Sequence, residues 1–359
     1  MKIGILSMQK ILNYGSFLQA LSLKMQFEQR GHEVYFIDII PGRKLFDEKP
    51  AKANLLKKFD RYFFKRIENF LLARKMATIH ISDYEKYLDT CKYLPDDQRF
   101  DLVVIGSDEV FNATTPSGWG FTTQLFGDVK NADRVVTYAA SCGNTTFGKA
   151  NEYGITSEIS KAMARVESIS VRDVNTKDFV ESITGRSAQL NVDPVFISDF
   201  DEFLPCVKRK KPYMLVYAYS NRICDKEEIK AIKSYAKEKD LDILCVGMQQ
   251  RWCNNNIPAS AFELLSYVKG AECVVTDTFH GTVFSIKYNK RFVSFVRDSN
   301  QNKLGGLLEQ FELTQRGVDD MSRFGDVLDS PTDYSVVNGI IDRERQRSYA
   351  YLDMVTKAE

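Results

Sequence analysis

Short apolar runs alternate with amphipathic stretches along most of this chain. Runs without polar alternation are typical of parallel strands covered on both faces, and the stretches between them have helical periodicity. The expected strands are 3–7, 34–39, 101–106, 134–140, 168–172, 192–197, 213–217, 242–246, 272–276 and 292–296. The expected helices are 18–27, 159–166, 225–237, 260–268, 281–288, 303–311 and 331–357. This alternation predicts an α/β fold.

The pattern is interrupted at 198–212, where SDFDEFLPCVKRKKP gathers acidic, basic and proline residues. We interpret this segment as a linker between two doubly wound, Rossmann-like domains that face a central cleft at the carboxyl ends of their strands. The predicted organisation is an N-terminal α/β domain over 1–198 with a helical insertion at about 43–90, a linker over 199–211, a C-terminal α/β domain over 212–330 and a C-terminal helix over 331–359.

The composition of the chain argues against several functional classes. With 49 Lys and Arg against 48 Asp and Glu, the chain lacks the basic excess of nucleic-acid-binding proteins, and we expect no nucleic-acid partner. The sequence contains no apolar run long enough for a membrane span and no secretory signal at its start. Seven scattered cysteines without a CxxC pair are typical of reduced thiols, so we expect a cytoplasmic protein.

The strongest candidate site is the sequence TDTFHG at 276–281, where a buried strand passes into a helix. Free backbone N–H groups and the helix dipole favour an anion there, and Gly281 would let a ligand approach the backbone. His280 is one of three histidines and can donate a hydrogen bond or a proton near neutral pH. Thr278 lies in the same turn.

Other polar turns follow predicted strands. Arg172 in SVRD can bind a carboxylate or phosphate through its planar fork, and Asp108 in GSDEVFN can orient a sugar hydroxyl or accept its proton. Further candidate substrate-binding residues lie in these turns, in NYGS and YAASCG, and in the helix at 303–311: Asn13, Gly15, Ser107, Asn112, Ser141 and Lys303. Each also has a structural interpretation as a helix cap, a surface ion pair or a capped turn, and these alternatives remain open.

Taken together, the ordered motifs NYGSFLQA, GSDEVFN, YAASCG, SVRD, VDPVF and TDTFHG resemble those of the polysaccharide pyruvyl transferases of bacteria, in the group with GSDxVxN and TDTFHG motifs. The resemblance extends from about residue 3 to 315. It implies a GT-B-like fold, phosphoenolpyruvate as the donor substrate, and a saccharide acceptor for exopolysaccharide, capsule or cell-wall polymer. It also implies no metal and no cofactor.

The resemblance implies roles as well. Arg172 resembles the donor-binding arginine of the family, and His280 resembles its active-site histidine. Thr278 stands where many members carry an arginine, so the phosphate charge would be met by Arg172, by backbone N–H groups and by Lys303 or Arg297. Asp108 would be the base or hydroxyl ligand on the acceptor side, which we assign to the N-terminal domain, with the donor on the C-terminal domain.

The segment 43–75 carries eleven Lys and Arg against four Asp and Glu, interleaved with aromatic residues. Such a helix can lie on an anionic membrane, which would place the protein at the inner face of the membrane beside a lipid-linked acceptor. Alternatively, its aromatic side chains face the core and its lysines face water, which is the commoner case.

Two other functions remain open. One is a nucleotide-sugar glycosyltransferase of the same fold, and the other is a saccharide-binding protein without catalysis. A GxxxxGK match at 143–150 ends in Ala150, which cannot provide the hydroxyl that a P-loop uses to bind magnesium. The dispersed histidines and the absence of CxxC favour no metal site.

Overall fold

The computed structural model describes residues 1–45, 63–88, 99–114, 116–297 and 300–357, with the backbone alone for 63–69. Its described strands are β1 Lys2–Leu6, β2 Glu33–Ile37, β3 Phe100–Ile105, β4 Ala132–Thr137, β5 Ser170–Val171, β6 Gln189–Leu190, β7 Tyr213–Tyr217, β8 Asp242–Val246, β9 Asn255–Ile257, β10 Cys273–Thr276, β11 Arg291–Phe295 and β12 Gly317–Val318.

The described helices are α1 Tyr14–Gln29, α2 Phe63–Tyr87, α3 Phe147–Glu152, α4 Thr156–Met163, α5 Val174–Thr184, α6 Lys226–Glu238, α7 Ala261–Gly270, α8 Phe279–Lys287, α9 Gln301–Gln310, α10 Phe324–Asp329 and α11 Tyr334–Val355. Short 3-10 turns occur at Thr123–Phe126, Pro194–Phe196, Asp201–Phe203, Thr314–Arg316 and Met321–Arg323.

The strands form two main parallel sheets. The N-terminal sheet has the order β2-β1-β3-β4, and the short pair β5-β6 lies beside β4 through isolated bridges. The C-terminal sheet has the order β9-β8-β7-β10-β11-β12. Counted within that half of the chain, this is the order 3-2-1-4-5-6 of a Rossmann sheet. Each sheet therefore reverses its strand order once, between β1 and β3 in the first and between β7 and β10 in the second.

Helices cover both faces of each sheet, as the near-continuous apolar strands predicted. Two apolar clusters lie on the outer faces of the N-terminal and C-terminal sheets. A third, larger cluster contains side chains from both halves, including Phe17 of α1 and Phe284 of α8. The two halves are therefore joined by shared apolar burial, which is the dominant stabilising contribution in such interfaces.

The C-terminal helix α11 returns to the N-terminal sheet. The Tyr351 hydroxyl donates to the carbonyl of Thr137, at the end of β4, at 2.8 Å. Asn191 donates to Ser348 at 3.3 Å. Helix α11 is thus packed against the N-terminal half, and the contact of Ser348 with Asn191 joins it to the residue that follows β6. The domain boundaries themselves stay a prediction.

Most predicted elements correspond to observed ones within a few residues, but the extended segment expected at 192–197 is wrong. The chain instead forms the 3-10 turn Pro194–Phe196, because Asp193 caps it by accepting the Val195 N–H at 3.0 Å and proline favours the first position of a helix. This change brings the Asp193 side chain into the interior.

The basic segment 43–75 is described in part, since 46–62 lie outside the described residues. Arg43 forms a bidentate ion pair with Glu158, at 2.6 and 2.7 Å. Within α2, Phe70 is 61% exposed, so the interpretation that the aromatic side chains of this segment face the core is wrong for that residue. None of the helices that the structure describes is long and apolar enough to cross a membrane.

Candidate functional site

A cavity of about 180 Å³, which we call the central cavity, lies where the two sheets reverse their strand order. Asn13 follows β1 and Asp108 follows β3, whereas Arg222 follows β7 and Asp277 follows β10. All four line the cavity. Ligands of open parallel sheets bind at the carboxyl ends of the strands, at such a reversal. Here two reversals face each other across one cavity.

Three buried charged or titratable side chains from both halves meet beside the cavity. Arg172 Nη1 donates to Asp193 Oδ2 at 3.0 Å, and His280 Nε2 lies 3.4 Å from the same oxygen. The Arg172 guanidinium also lies 4.1 Å from the centre of the Phe279 ring, at a distance that permits a cation–π contact. Asp193 therefore holds an arginine of the N-terminal half against a histidine of the C-terminal half.

Asp193 is ionised despite its burial. Burial by itself favours the neutral acid, but the neighbouring His280, the Arg172 guanidinium and the Val195 N–H favour the carboxylate. The net effect lowers the pKa of Asp193 below its usual value. Arg172 Nε is buried without a hydrogen-bond partner among the described residues. His280 Nε2 is buried as well, and it faces Asp193 Oδ2 without the geometry of a hydrogen bond.

Gly15 lets helix α1 approach the histidine closely. Asn13 caps this helix by accepting the Gly15 N–H at 2.8 Å, and its amide donates to the Tyr219 hydroxyl at 2.9 Å. A Cβ atom added at Gly15 would overlap the His280 ring at Nδ1. The functional value of Gly15 is thus the space that it leaves for His280.

Asp108 is a second carboxylate near the same arginine. Its Oδ1 lies 3.8 Å from Arg172 Nη1, and its Oδ2 accepts a hydrogen bond from Ser16 at 2.5 Å. Lys303, near the start of α9, forms a short ion pair with Glu109 across the two halves. The three cations that line the cavity, including Arg222, therefore each face a carboxylate.

The structure brings some of the sequence-predicted residues to the cavity wall and leaves others behind it. The wall contains Asn13, Asp108, Arg172, Thr278, His280 and Lys303. The residues outside the wall are Gly15, Ser107, Asn112, Ser141 and Gly281.

The residues behind the wall support it. Ser107 donates to the Ala139 carbonyl, and Ser141 donates to Asp173 Oδ2, both at 2.8 Å. Asn112 donates to Glu109 at 2.6 Å. The Gly281 N–H donates to the Thr278 hydroxyl at 2.9 Å, so this helix-start donor is already used.

Sequence reasoning missed Asp193, Arg222 and Asp277 as members of the site. The strand expected at 192–197 hides Asp193, although Asp followed by Pro is a signal for a capped turn. Arg222 lies in the loop after β7, which becomes a site position only once the strand order of the second sheet is known. Asp277 lies in a predicted turn, and nothing in its local sequence signals its burial.

Asp277 is an unusual carboxylate in this wall. Its side chain is fully buried, and neither oxygen accepts a hydrogen bond from the described residues. Arg222 Nε lies 3.8 Å from Oδ2. Burial raises the pKa of Asp277 to about 6, against the opposing charges of Arg222 and Arg297.

Comparison with known proteins assigns the family. The model of the family "Polysaccharide pyruvyl transferase" matches residues 13–299. The chain belongs to the polysaccharide pyruvyl transferase family. The match includes every candidate residue except Lys303. No curated protein sequence matches the chain.

Solved structures show the fold of this family member. The glycotransferase of kitacinnamycin is 9% identical, with 99% of this chain and 98% of that chain covered and a TM-score of 0.50. UGT89C1 of Arabidopsis thaliana complexed with quercetin is 7% identical, with 98% of both chains covered and a TM-score of 0.48. The spinosyn rhamnosyltransferase SpnG complexed with spinosyn aglycone is 10% identical, with 99% and 100% covered and a TM-score of 0.47. The first likeness shows the fold alone, and that fold is GT-B-like.

The arrangement can bind a small anion and exchange a proton with it. Arg172 and Lys303 can attract carboxylate or phosphate, and His280 can donate a proton or hydrogen bond. Within the described ranges, no group of three His, Cys, Asp or Glu side chains is placed to hold a metal ion. The expectation that no metal is required stays a prediction.

The contact between Gly15 and His280 predicts the effect of a single methyl group. Gly15→Ala should displace the His280 ring and destabilise the protein by about 1–3 kcal/mol, because a packed site cannot absorb the extra volume. With three histidines in the chain, imidazole NMR signals can report on each. The His280 signal should shift while that of the distant His32 stays unchanged.

Gly148→Ala is the matched control, because Gly148 occupies the same second position of helix α3 and its added Cβ would meet only ordinary contacts. An unchanged His280 signal in Gly15→Ala would contradict the described packing.

The raised pKa of Asp277 predicts a pH-dependent stability. The Asp277 carboxyl has its usual pKa of 3.8 in the unfolded state and a pKa of about 6 in the folded state, so the folded state binds its proton more tightly. The stabilisation of the folded state by this proton is therefore full below pH 3.8 and is lost as the pH rises through about 6. Asp277→Asn is uncharged throughout. Relative to wild type, its free energy of unfolding should therefore rise by about 1–3 kcal/mol between about pH 4 and 8.

Thermal unfolding across this pH range measures the difference. Asp342→Asn, at an exposed carboxylate, should show no comparable pH-dependent gain. A constant difference between Asp277→Asn and wild type would mean that Asp277 is not held in a desolvated environment.

Proposed function

We propose that this protein transfers the three-carbon group of phosphoenolpyruvate to a saccharide as a cyclic pyruvate ketal. The observation that carries the proposal is the buried Arg172–Asp193–His280 contact beside a cavity of about 180 Å³. A small carboxylated phosphate ester suits such a cavity in size, and Arg172, Arg222 and Lys303 are the cations of the wall that can meet its charge. Membership of the polysaccharide pyruvyl transferase family supports the same donor and acceptor.

The donor sets the chemical requirements. Its C3 is a weak carbon base, and its C2 becomes electrophilic once C3 is protonated. An acid must therefore stand over C3, cations must hold the carboxylate and phosphate, and a base should assist the attacking hydroxyl. The described wall offers one histidine, three cations and several carboxylates for these tasks.

We assign the roles by position. Arg172 is the anion clamp, because it lines the cavity and its planar fork can bind carboxylate or phosphate in two parallel hydrogen bonds. His280 is the acid, because it lines the cavity beside Arg172. Asp108 is the acceptor-side base or hydroxyl ligand, and Lys303 and Arg222 offset further phosphate charge.

His280 transfers a proton to C3, which becomes the methyl group, and one sugar hydroxyl attacks C2 while Asp108 accepts its proton. The C2–O bond to phosphate breaks. A second hydroxyl of the same sugar attacks C2 and closes the ketal, and its proton leaves with the released phosphate or returns to the site. No further cofactor enters this sequence.

The same proposal extends to the motif group of the chain and to the kind and location of the acceptor. The motifs GSDEVFN and TDTFHG support membership of the group within the family that has a small hydroxyl residue at the position of Thr278. The acceptor would be a precursor of exopolysaccharide, capsule or cell-wall polymer on the cytoplasmic side, and the basic segment 43–75 would bring the protein to a lipid-linked acceptor.

The donor assignment predicts a specific loss of affinity. Arg172→Lys keeps the positive charge but loses the bidentate fork, so phosphoenolpyruvate should bind about 1–3 kcal/mol more weakly. Titration of phosphoenolpyruvate into each protein by calorimetry measures this. The control Arg165→Lys, at a half-exposed ion pair with Asp128, should leave the affinity unchanged.

Two results would count against the proposal. If the wild type does not bind phosphoenolpyruvate, the donor assignment is wrong. If Arg172→Lys binds it as tightly as the wild type, Arg172 is not part of the donor site. Phosphate release from phosphoenolpyruvate that depends on an added glycan would distinguish this activity from nucleotide-sugar transfer and from binding without catalysis.

A further inference from the structure

A second concave region opens beside the central cavity. This side groove has a volume of about 1010 Å³, more than five times that of the central cavity at about 180 Å³. Helices α5, α9 and α11 contribute to its walls. Its volume lies at the upper end of the range of about 300–1,000 Å³ that is usual for ligand pockets. The side groove therefore has room for a ligand much larger than a three-carbon donor.

The side groove and the central cavity share three wall residues, Arg172, Phe279 and Lys303. A ligand in the groove is thus in contact with the same arginine that we assign to the donor. The Arg172 side chain is a buried cation of this shared wall, 3% exposed, and Lys303 is a more accessible cation there, 18% exposed. The reacting ring of a second substrate would extend past this shared wall toward the donor and Asp108 in the central cavity, and the other rings would lie in the groove.

The lining of the side groove favours hydroxyl groups over anions. Six carboxylates and three cations line it, together with four side-chain amides. Asp178 and Asp319 are exposed and form no ion pair among the described residues. Carboxylates and amides accept hydrogen bonds from sugar hydroxyls, whereas the excess of negative charge disfavours a nucleoside diphosphate.

Two glycines on α9 leave part of the groove wall without side chains. Gly305 and Gly306 both line the groove, and a Cβ atom added at Gly306 would meet no atom within 4 Å. Among the residues that line the groove, the apolar Val174 is 61% exposed and can contact the C–H face of a sugar ring.

We propose that the side groove is the acceptor site and that it binds several rings of an extended, uncharged saccharide. This inference rests on the proposed function, because it requires the donor to occupy the central cavity. It moves the acceptor from the N-terminal domain, where the sequence motifs placed it, to a surface made by both halves and α11. It also makes the acceptor an oligosaccharide or polymer precursor rather than a single sugar.

The test fills the groove without touching the central cavity. Gly306→Trp would add a large side chain to the groove wall at a position with open space. Gly339→Trp is the matched control, because Gly339 is also an exposed helical glycine with nothing within 4 Å of an added Cβ and lies outside the groove. Both variants and the wild type are applied, with phosphoenolpyruvate present, to an array of neutral glycans of one to six rings.

The inference predicts that the wild type and Gly339→Trp bind glycans of three or more rings at least tenfold more tightly than single sugars. Gly306→Trp should lose this advantage while its phosphoenolpyruvate affinity, measured by calorimetry, stays within twofold of wild type. Equal binding by Gly306→Trp and Gly339→Trp would overturn the assignment, as would wild-type binding to no glycan or to single sugars alone.

The same measurements separate this inference from the proposed function. If Gly306→Trp loses the preference for longer glycans but still binds phosphoenolpyruvate, the groove is the acceptor site. If the wild type does not bind phosphoenolpyruvate, the donor assignment on which the groove depends is contradicted.

Discussion

The site depends on one buried carboxylate. Asp193 accepts a hydrogen bond from Arg172 at 3.0 Å and lies 3.4 Å from His280, and its side chain is fully shielded from water. A buried charge is costly unless it is paired and hydrogen-bonded, so this arrangement is stable only while all three groups stay together. Because Arg172 and His280 come from different halves of the chain, the requirement also fixes how those halves meet at the cavity.

Topology explains why these residues meet at all. Each sheet is open and parallel, and each reverses its strand order once, which leaves a crevice at the carboxyl ends of the strands. The crevices face each other, so turns after β1, β3, β7 and β10 converge on one cavity. Helix α8 begins at the second crevice and presents His280, and Gly15 of α1 leaves the space that the imidazole occupies. The GT-B-like fold thus determines where the cavity lies, and short-range contacts determine how the side chains in its wall are placed.

The fold and much of the site could be predicted from sequence, because apolar strands and polar turns leave a local signal. Arg172 ends one predicted strand and His280 lies shortly after another, and the structure brings them to one place. The role of Ser107 and Ser141 as internal supports could not be predicted, since a serine in a turn looks the same whether it faces a ligand or a neighbouring carbonyl. Asp193 could not be assigned to the site because the segment that contains it was expected to be a strand and forms a turn. Arg222 could not be assigned because its position depends on the strand order of the second sheet. Burial of Asp277 likewise depends on packing around it and not on its own neighbours in sequence.

The central claim is that Asp193 couples Arg172 to the donor site, and a double-mutant cycle tests it most directly. Phosphoenolpyruvate affinity would be measured by calorimetry for the wild type, Arg172→Lys, Asp193→Asn and the double variant. If Asp193 orients Arg172, the cost of Arg172→Lys should differ by about 1 kcal/mol or more between the wild-type background and the Asp193→Asn background, as for residues in one network. Effects that add to within about 0.3–0.5 kcal/mol would show that the two residues act independently, and would contradict this account.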